Sequence, residues 1–144
     1  MGGEPWFYFV PYQPDIPVVL QALRRREFEA GRYNPAVMFP MDVNVHSPGA
    51  QHASIEEALE ASEADGTRSI LDMERIGQSP DYGVVVPLPS EQLMELYDTQ
   101  QPTRKMVEQN MEFLDSIERG QGVYVIVYKD GSPSEIFFAG YSYD

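Results

Sequence analysis

The densest apolar patterning in the chain lies over residues 122–143, GVYVIVYKDGSPSEIFFAGYSY. Two β-branched and aromatic runs flank Lys129-Asp130-Gly131-Ser132. Asp-Gly supplies the positive φ angles of a two-residue turn, so the stretch predicts a β-hairpin. With Asp130-Gly131 as the loop, Tyr128 lies opposite Pro133, Val125 opposite Ile136, Val123 opposite Phe138 and Tyr124 opposite Phe137. Val123, Val125, Ile136 and Phe138 then make one core face. The other face is aromatic rather than charged, so it is expected to be covered as well. Pro133 withholds the N–H that a further strand would need, which marks the turn end of the second strand as a sheet edge.

Trp6-Phe7-Tyr8-Phe9-Val10 is a strand apolar on both faces, expected in a central or covered place. Asp15 caps a helix that tolerates Pro17 in its first turn and stops at Gly31. At 100° per residue Ile16, Val19, Leu20, Leu23 and Ala30 form its apolar stripe. Residues 31–52 carry Pro35, Pro40 and Pro48 and predict a long loop of the kind that closes a binding site. Ser54 and Glu57 form a capping box that opens a surface helix ending near Asp65-Gly66. Residues 67–76 fit strand or helix, and their length favours a strand through 69–73. Val84-Val85-Val86 lies in a strand over 83–88. Ser90 caps a short helix to Tyr97, and Pro102 opens a helix running to Arg119 with Asn110 inside its apolar stripe.

The order β-α-loop-α-β-β-α-α-β-β puts two strand pairs together with no helix between them. That argues against a doubly wound parallel sheet. The expected fold is a single α+β domain over 1–144, with a mixed, mainly antiparallel sheet of about five strands and helices mostly on one face.

Composition narrows the function classes. A chain of 144 residues, 42% hydrophobic and 23% charged, suits one globular domain. It has no apolar run of the roughly 20 residues that span a bilayer and no basic leader, so it predicts a soluble, cytoplasmic protein. Cysteine is absent, which excludes disulfides, thiol nucleophiles and thiolate metal sites. A formal net charge of −13 disfavours nucleic acid and anionic membranes as partners. It suits a basic protein partner, a cation, or solubility alone.

Candidate chemistry starts at Glu27, a carboxylate in the middle of a core-facing stripe. It needs a partner, and Arg24, Arg25, Arg26 and Arg32 crowd that end of the helix. The same cluster could hold an anion, or the helix could already be leaving the core there. His46 and His52, the two histidines, both sit on the long loop, at a spacing that fits no metal motif. His52 precedes a helix N-terminus, where an anion would be favoured. Asp72 sits in apolar SILDM and faces either solvent or the interior. There is no GxSxG, P-loop or GxGxxG, and no cofactor or metal is expected.

Three segments, GRYNP, PGAQHASIEEALE and DGTRSILD, together resemble a family of small, uncharacterised bacterial proteins. The resemblance implies a bacterial, soluble, single-domain protein, and carries over no catalytic residue.

Two functions remain open. One is a non-catalytic protein that binds a macromolecular partner through the acidic helix bearing Glu56, Glu60 and Glu63. The other is a small-molecule binder or enzyme whose pocket, closed by the 31–52 loop, is lined by Glu27, Arg32, Tyr33, His52 and Asp72. Convergence of those five on a concavity would favour the second.

Overall fold

The computed structural model describes residues 5–33, 49–63 and 66–142. Five strands, β1 (Trp6–Pro11), β2 (Arg75–Ile76), β3 (Val84–Pro87), β4 (Gly122–Lys129) and β5 (Ser132–Gly140), form one sheet in the order β1-β5-β4-β3-β2. The β1–β5 and β5–β4 ladders are antiparallel, and the shorter β4–β3 and β3–β2 ladders are parallel. Four helices accompany them: α1 (Ile16–Ala30), α2 (Ile55–Ala61), α3 (Ser90–Tyr97) and α4 (Arg104–Gln109). The chain is an α+β domain, as its element order predicts.

The hairpin turn forms where Asp130 and Gly131 take positive φ, 52° and 80°. Tyr128 pairs with Pro133 as expected, but the register then slips by one. Val127 meets Glu135, Val125 meets Phe137, Tyr124 meets Phe138 and Val123 meets Ala139. The residue left over on β5 is Ser134, whose carbonyl accepts the Tyr12 N–H of the other neighbouring chain segment at 3.0 Å. A one-residue slip reverses the faces. Val123, Val125, Ile136 and Phe138 are all buried, but on two faces rather than one. Pairing of β1 with β5 reaches only to Glu135, so Pro133 does lie beyond the last neighbour.

The two faces carry separate cores. On one, Trp6, Val10, Val85, Ile136 and Phe138 pack with Val19, Leu20 and Leu23 of α1, Ala58 of α2, and Ile70 and Leu71. On the other, Val84, Val86, Val123, Val125, Val127, Phe137 and Ala139 pack with Tyr97, Val107, Phe113 and Leu114. The helices therefore cover both faces, not mostly one. The cause is topological. Parallel β3 and β4 are neighbours, so the chain between them must cross the sheet, and α3 and α4 are that crossover.

Three more expectations change. β1 is an edge strand and not a central one. Residues 70–72 form a 3₁₀ turn, with the Ser69 hydroxyl accepting from Leu71 N at 3.2 Å, and the strand comes later at Arg75–Ile76. Ile70, Leu71, Asp72 and Met73 are all buried, which no alternating strand with one solvated face could achieve. The helix expected over 102–119 breaks at Asn110 into α4 and a 3₁₀ turn over 112–116. There the Asn110 side chain donates to the Leu96 carbonyl and accepts from Glu112 N, while the Tyr97 hydroxyl donates to the Asn110 carbonyl at 2.7 Å.

At the end of the sheet away from the hairpin turn, Gly122 pairs with Gly140 and Gly140 with Trp6. The Trp6 indole lies across both glycines. A Cβ on Gly140 would stand 2.7 Å from indole Cζ2 and press on the Gln121 carbonyl oxygen.

Candidate functional site

Helix α1 positions the first cluster. Its cap forms as the sequence requires, with Asp15 Oδ1 accepting from Val18 N at 3.3 Å. Gly31 at its C-terminus takes φ 75°. Its N–H bonds the Phe28 carbonyl and the Arg32 N–H bonds that of Glu27, each at 3.0 Å. This is a Schellman closure, and it turns the chain back over the last turn. Arg32 is thereby aimed at Glu27. Its Nε donates to Oε1 at 2.9 Å and its Nη2 to Oε2 at 2.7 Å. Arg26 Nε adds a third bond to Oε2 at 2.9 Å. The Glu27 side chain is 3% exposed against 35% for Arg32 and 51% for Arg26, so the acid is buried beneath its bases. The hydrogen bonds to Glu27 raise the Arg32 pKa above its ordinary value. Nearby Tyr8 is raised too, chiefly by burial and then by the Glu27 charge, while its hydroxyl accepts from Ile70 N.

Tyr33 follows directly and is fully buried. Its ring stacks on Phe28 with centroids 5.8 Å apart. Its hydroxyl accepts from Gln51 N at 3.3 Å and lies 2.7 Å from His52 Nδ1. Which of the Tyr33 hydroxyl and His52 Nδ1 donates to the other is set by the imidazole tautomer. Glu27–Arg32 and Tyr33–His52 are thus adjoining pairs at one end of α1. His46 and residues 34–48, the body of the expected pocket-closing loop, lie outside the described residues.

Asp72 belongs to a different network. It is 3% exposed, and its Oδ1 accepts from Thr67 N at 2.9 Å and its Oδ2 from Ser142 Oγ at 2.7 Å. Burial pushes its carboxyl above the ordinary 3.8, against the lowering effect of these hydrogen bonds. The bond to Ser142 ties the segment after β5 to the turn before β2. Asp72 therefore points inward.

Arg24, one of the arginines crowding Glu27 in the sequence, serves other partners. It is 9% exposed, with Nη2 donating to the Leu71 carbonyl at 3.0 Å and Nη1 to Gln21 Oε1 at 2.9 Å. Burial lowers its pKa, partly offset by the charges of Glu74, Glu56 and Asp72. The available signal was its position four residues after Leu20, on the edge of the apolar stripe. Arg24 borders a cleft of about 390 Å³ between α1 and α2, with Gln21, Arg25, Phe28, Glu29, Ile55 and Glu56. None of the five residues expected in a pocket lines it.

The acidic helix α2 is short. Ser54 Oγ accepts from Glu57 N at 3.2 Å, and Glu57 Oε2 reaches back to Ala53 N, so the capping residues act as the sequence suggests. Ala58 is fully buried, which fixes the inner side. Glu56 and Glu60 are exposed on the helix, and Glu63 is exposed just past its end. Among the described residues no group of three or more His, Asp and Glu side chains is arranged to hold a metal ion. No helix among them is long and apolar enough to cross a membrane.

Comparison with protein-family models, with curated proteins and with solved structures finds no match.

The two candidate carboxylates are both engaged inside the fold. Both Glu27 oxygens are taken by guanidinium N–H groups, and both Asp72 oxygens by an amide and a hydroxyl. A general base needs a free lone pair within reach of its substrate. Neither carboxylate offers one at the surface.

Proposed function

We propose that this is a non-catalytic bacterial protein of the cytoplasm that binds a basic macromolecular partner through the acidic ridge of α2. The observation that carries this reading is the line of Glu56, Glu60 and Glu63. Glu56 and Glu60, four residues apart, lie along one side of the helix, and Glu63 follows just past its end, all three exposed. No ion pair to them occurs among the described residues. Like charges at that spacing cost the helix a few tenths of a kcal/mol each, and a complementary surface would relieve that cost. The net charge of −13 extends the attraction beyond the ridge and favours fast encounter with a cation-rich surface. The competing reading, a small-molecule binder or enzyme, needs the Glu27 and Asp72 carboxylates for its ligand, and both are committed to internal partners.

The test compares the wild-type chain with the triple variant Glu56→Lys, Glu60→Lys, Glu63→Lys as bait in extracts of the native cell. The proposal expects a basic protein that wild type retains at low salt, releases at high salt, and that the variant does not retain. Circular dichroism confirms the variant's fold. A partner held equally by both baits would overturn the assignment of the ridge.

A further inference from the structure

The outer edge of β1 carries an unusual pattern. Tyr12 N donates to the Ser134 carbonyl, which makes Tyr12 and Ser134 a hydrogen-bonded pair. In an antiparallel ladder such pairs alternate. Trp6, Tyr8 and Val10, opposite Gly140, Phe138 and Ile136, therefore spend their backbone groups on β5. Phe7 and Phe9, opposite Ala139 and Phe137, turn theirs outward, and alternation gives Pro5 and Pro11 the same direction. Outward-facing positions thus read Pro, Phe, Phe, Pro, symmetrically about Tyr8. Only the two phenylalanines have an N–H to give. Among the described residues no backbone group takes it.

We propose that β1 pairs with β1 of a second copy of this chain, antiparallel about a two-fold axis at Tyr8. In that register Phe7 of each copy faces Phe9 of the other, and each pair exchanges both of its backbone hydrogen bonds. Proline then stands opposite proline at either end, where neither residue has an N–H to donate and the ladder stops. The two five-stranded sheets become one sheet of ten strands. The side chains agree with this pairing. Phe7 is 50% exposed, against the rule for a large aromatic on a folded surface. The partner would lay it beside Phe9, whose ring already carries the Arg104 guanidinium 4.2 Å from its centroid. Charge agrees as well. In a chain of net −13, residues 5–11 contain no charged side chain, so the axis joins the two copies at neutral ground. An exposed edge strand is ordinarily defended by a lysine or an inward-pointing charge. This one has only its terminal prolines, which limit the pairing to the segment between them. The opposite edge, β2, is two residues long and bears Arg75, so assembly closes at two copies.

Sedimentation velocity of the full chain across the micromolar range tests this. Wild type is expected to pass from monomer to dimer with concentration. Phe7→Pro removes an outward N–H without touching the β5 ladder, and Phe7→Lys places a charge on the edge. Both are expected to stay monomeric with an unchanged circular dichroism spectrum, while Phe7→Tyr still dimerises. A wild-type chain that remains monomeric throughout would overturn the proposal. So would dimerisation of both Phe7→Pro and Phe7→Lys, which would place the contact elsewhere. The outcome is independent of the acidic ridge, since the triple glutamate reversal leaves β1 intact and is expected to dimerise normally.

Discussion

Truncating Arg32 to alanine strands the Glu27 carboxylate beneath the surface with a single partner. Arg32 supplies two of the three bonds to this acid, one to each oxygen, at 2.9 and 2.7 Å. Arg26 supplies one, from a side chain that is 51% exposed. A half-exposed pair is worth roughly 0–1 kcal/mol, so Arg26→Ala should cost about 0.5 kcal/mol. Orphaning a buried charge costs roughly 3–5 kcal/mol. Arg32 is itself 35% exposed, and Arg26 remains in place, so water and that residue recover part of the loss. About 2–3 kcal/mol is the expected cost of Arg32→Ala. The sharper expectation concerns the pair. Replacing Glu27 and Arg32 together by leucine and methionine removes the charge along with its partner, and should cost less than Arg32→Ala alone. Urea unfolding followed by the fluorescence of Trp6, the one tryptophan, reads all three variants. For a domain of this size the Arg32→Ala midpoint should fall by on the order of 1 M. The reasoning fails if Arg32→Ala costs no more than Arg26→Ala, or if the double replacement is the worst of the set.

Gly140→Ala should destabilise by about 2–3 kcal/mol, because its Cβ meets the Trp6 indole and the Gln121 backbone carbonyl; calorimetry showing an unchanged Tm would refute the packing. Asp72→Asn tests a pH dependence. Since burial raises the folded-state pKa of Asp72, ionising it opposes folding, and wild type gains stability as pH falls through that raised value toward the ordinary 3.8. The asparagine variant lacks this response, so its Tm relative to wild type should be highest near neutral pH and decline on acidification. A difference independent of pH would show that Asp72 titrates alike in the folded and unfolded chains.

What was legible in the sequence was local. Asp130-Gly131, the Asp15 cap, Gly31 and the Ser54–Glu57 box each specify their own geometry through nearby backbone, and each forms. Glu27 was also legible, because a carboxylate among leucines requires a cation and Arg32 lies one helical turn further on. The rest depended on distant chain. The hairpin register turned on Ser134, which serves β1 as well as the hairpin. The break at Asn110 is fixed by Leu96 and Tyr97 of another helix. Asp72 was ambiguous until Ser142 supplied its inward partner. The five pocket candidates divide in the same way. Four of them share the end of α1, while the fifth, Asp72, is held by Thr67 and Ser142.

The place of β5 between β1 and β4 has a consequence for how the chain acquires its shape. The β4–β5 hairpin needs only a two-residue loop and can form within microseconds. The β1–β5 ladder, by contrast, must close a loop that contains nearly the whole domain, since Trp6 pairs with Gly140. During synthesis β1 emerges first, aromatic and uncharged, and has no sheet partner until β5 is complete. The strand with the most adhesive edge thus waits longest for its neighbour. Folding should show a slow phase governed by docking of β1, and it is in that interval that the chain most needs protection from association.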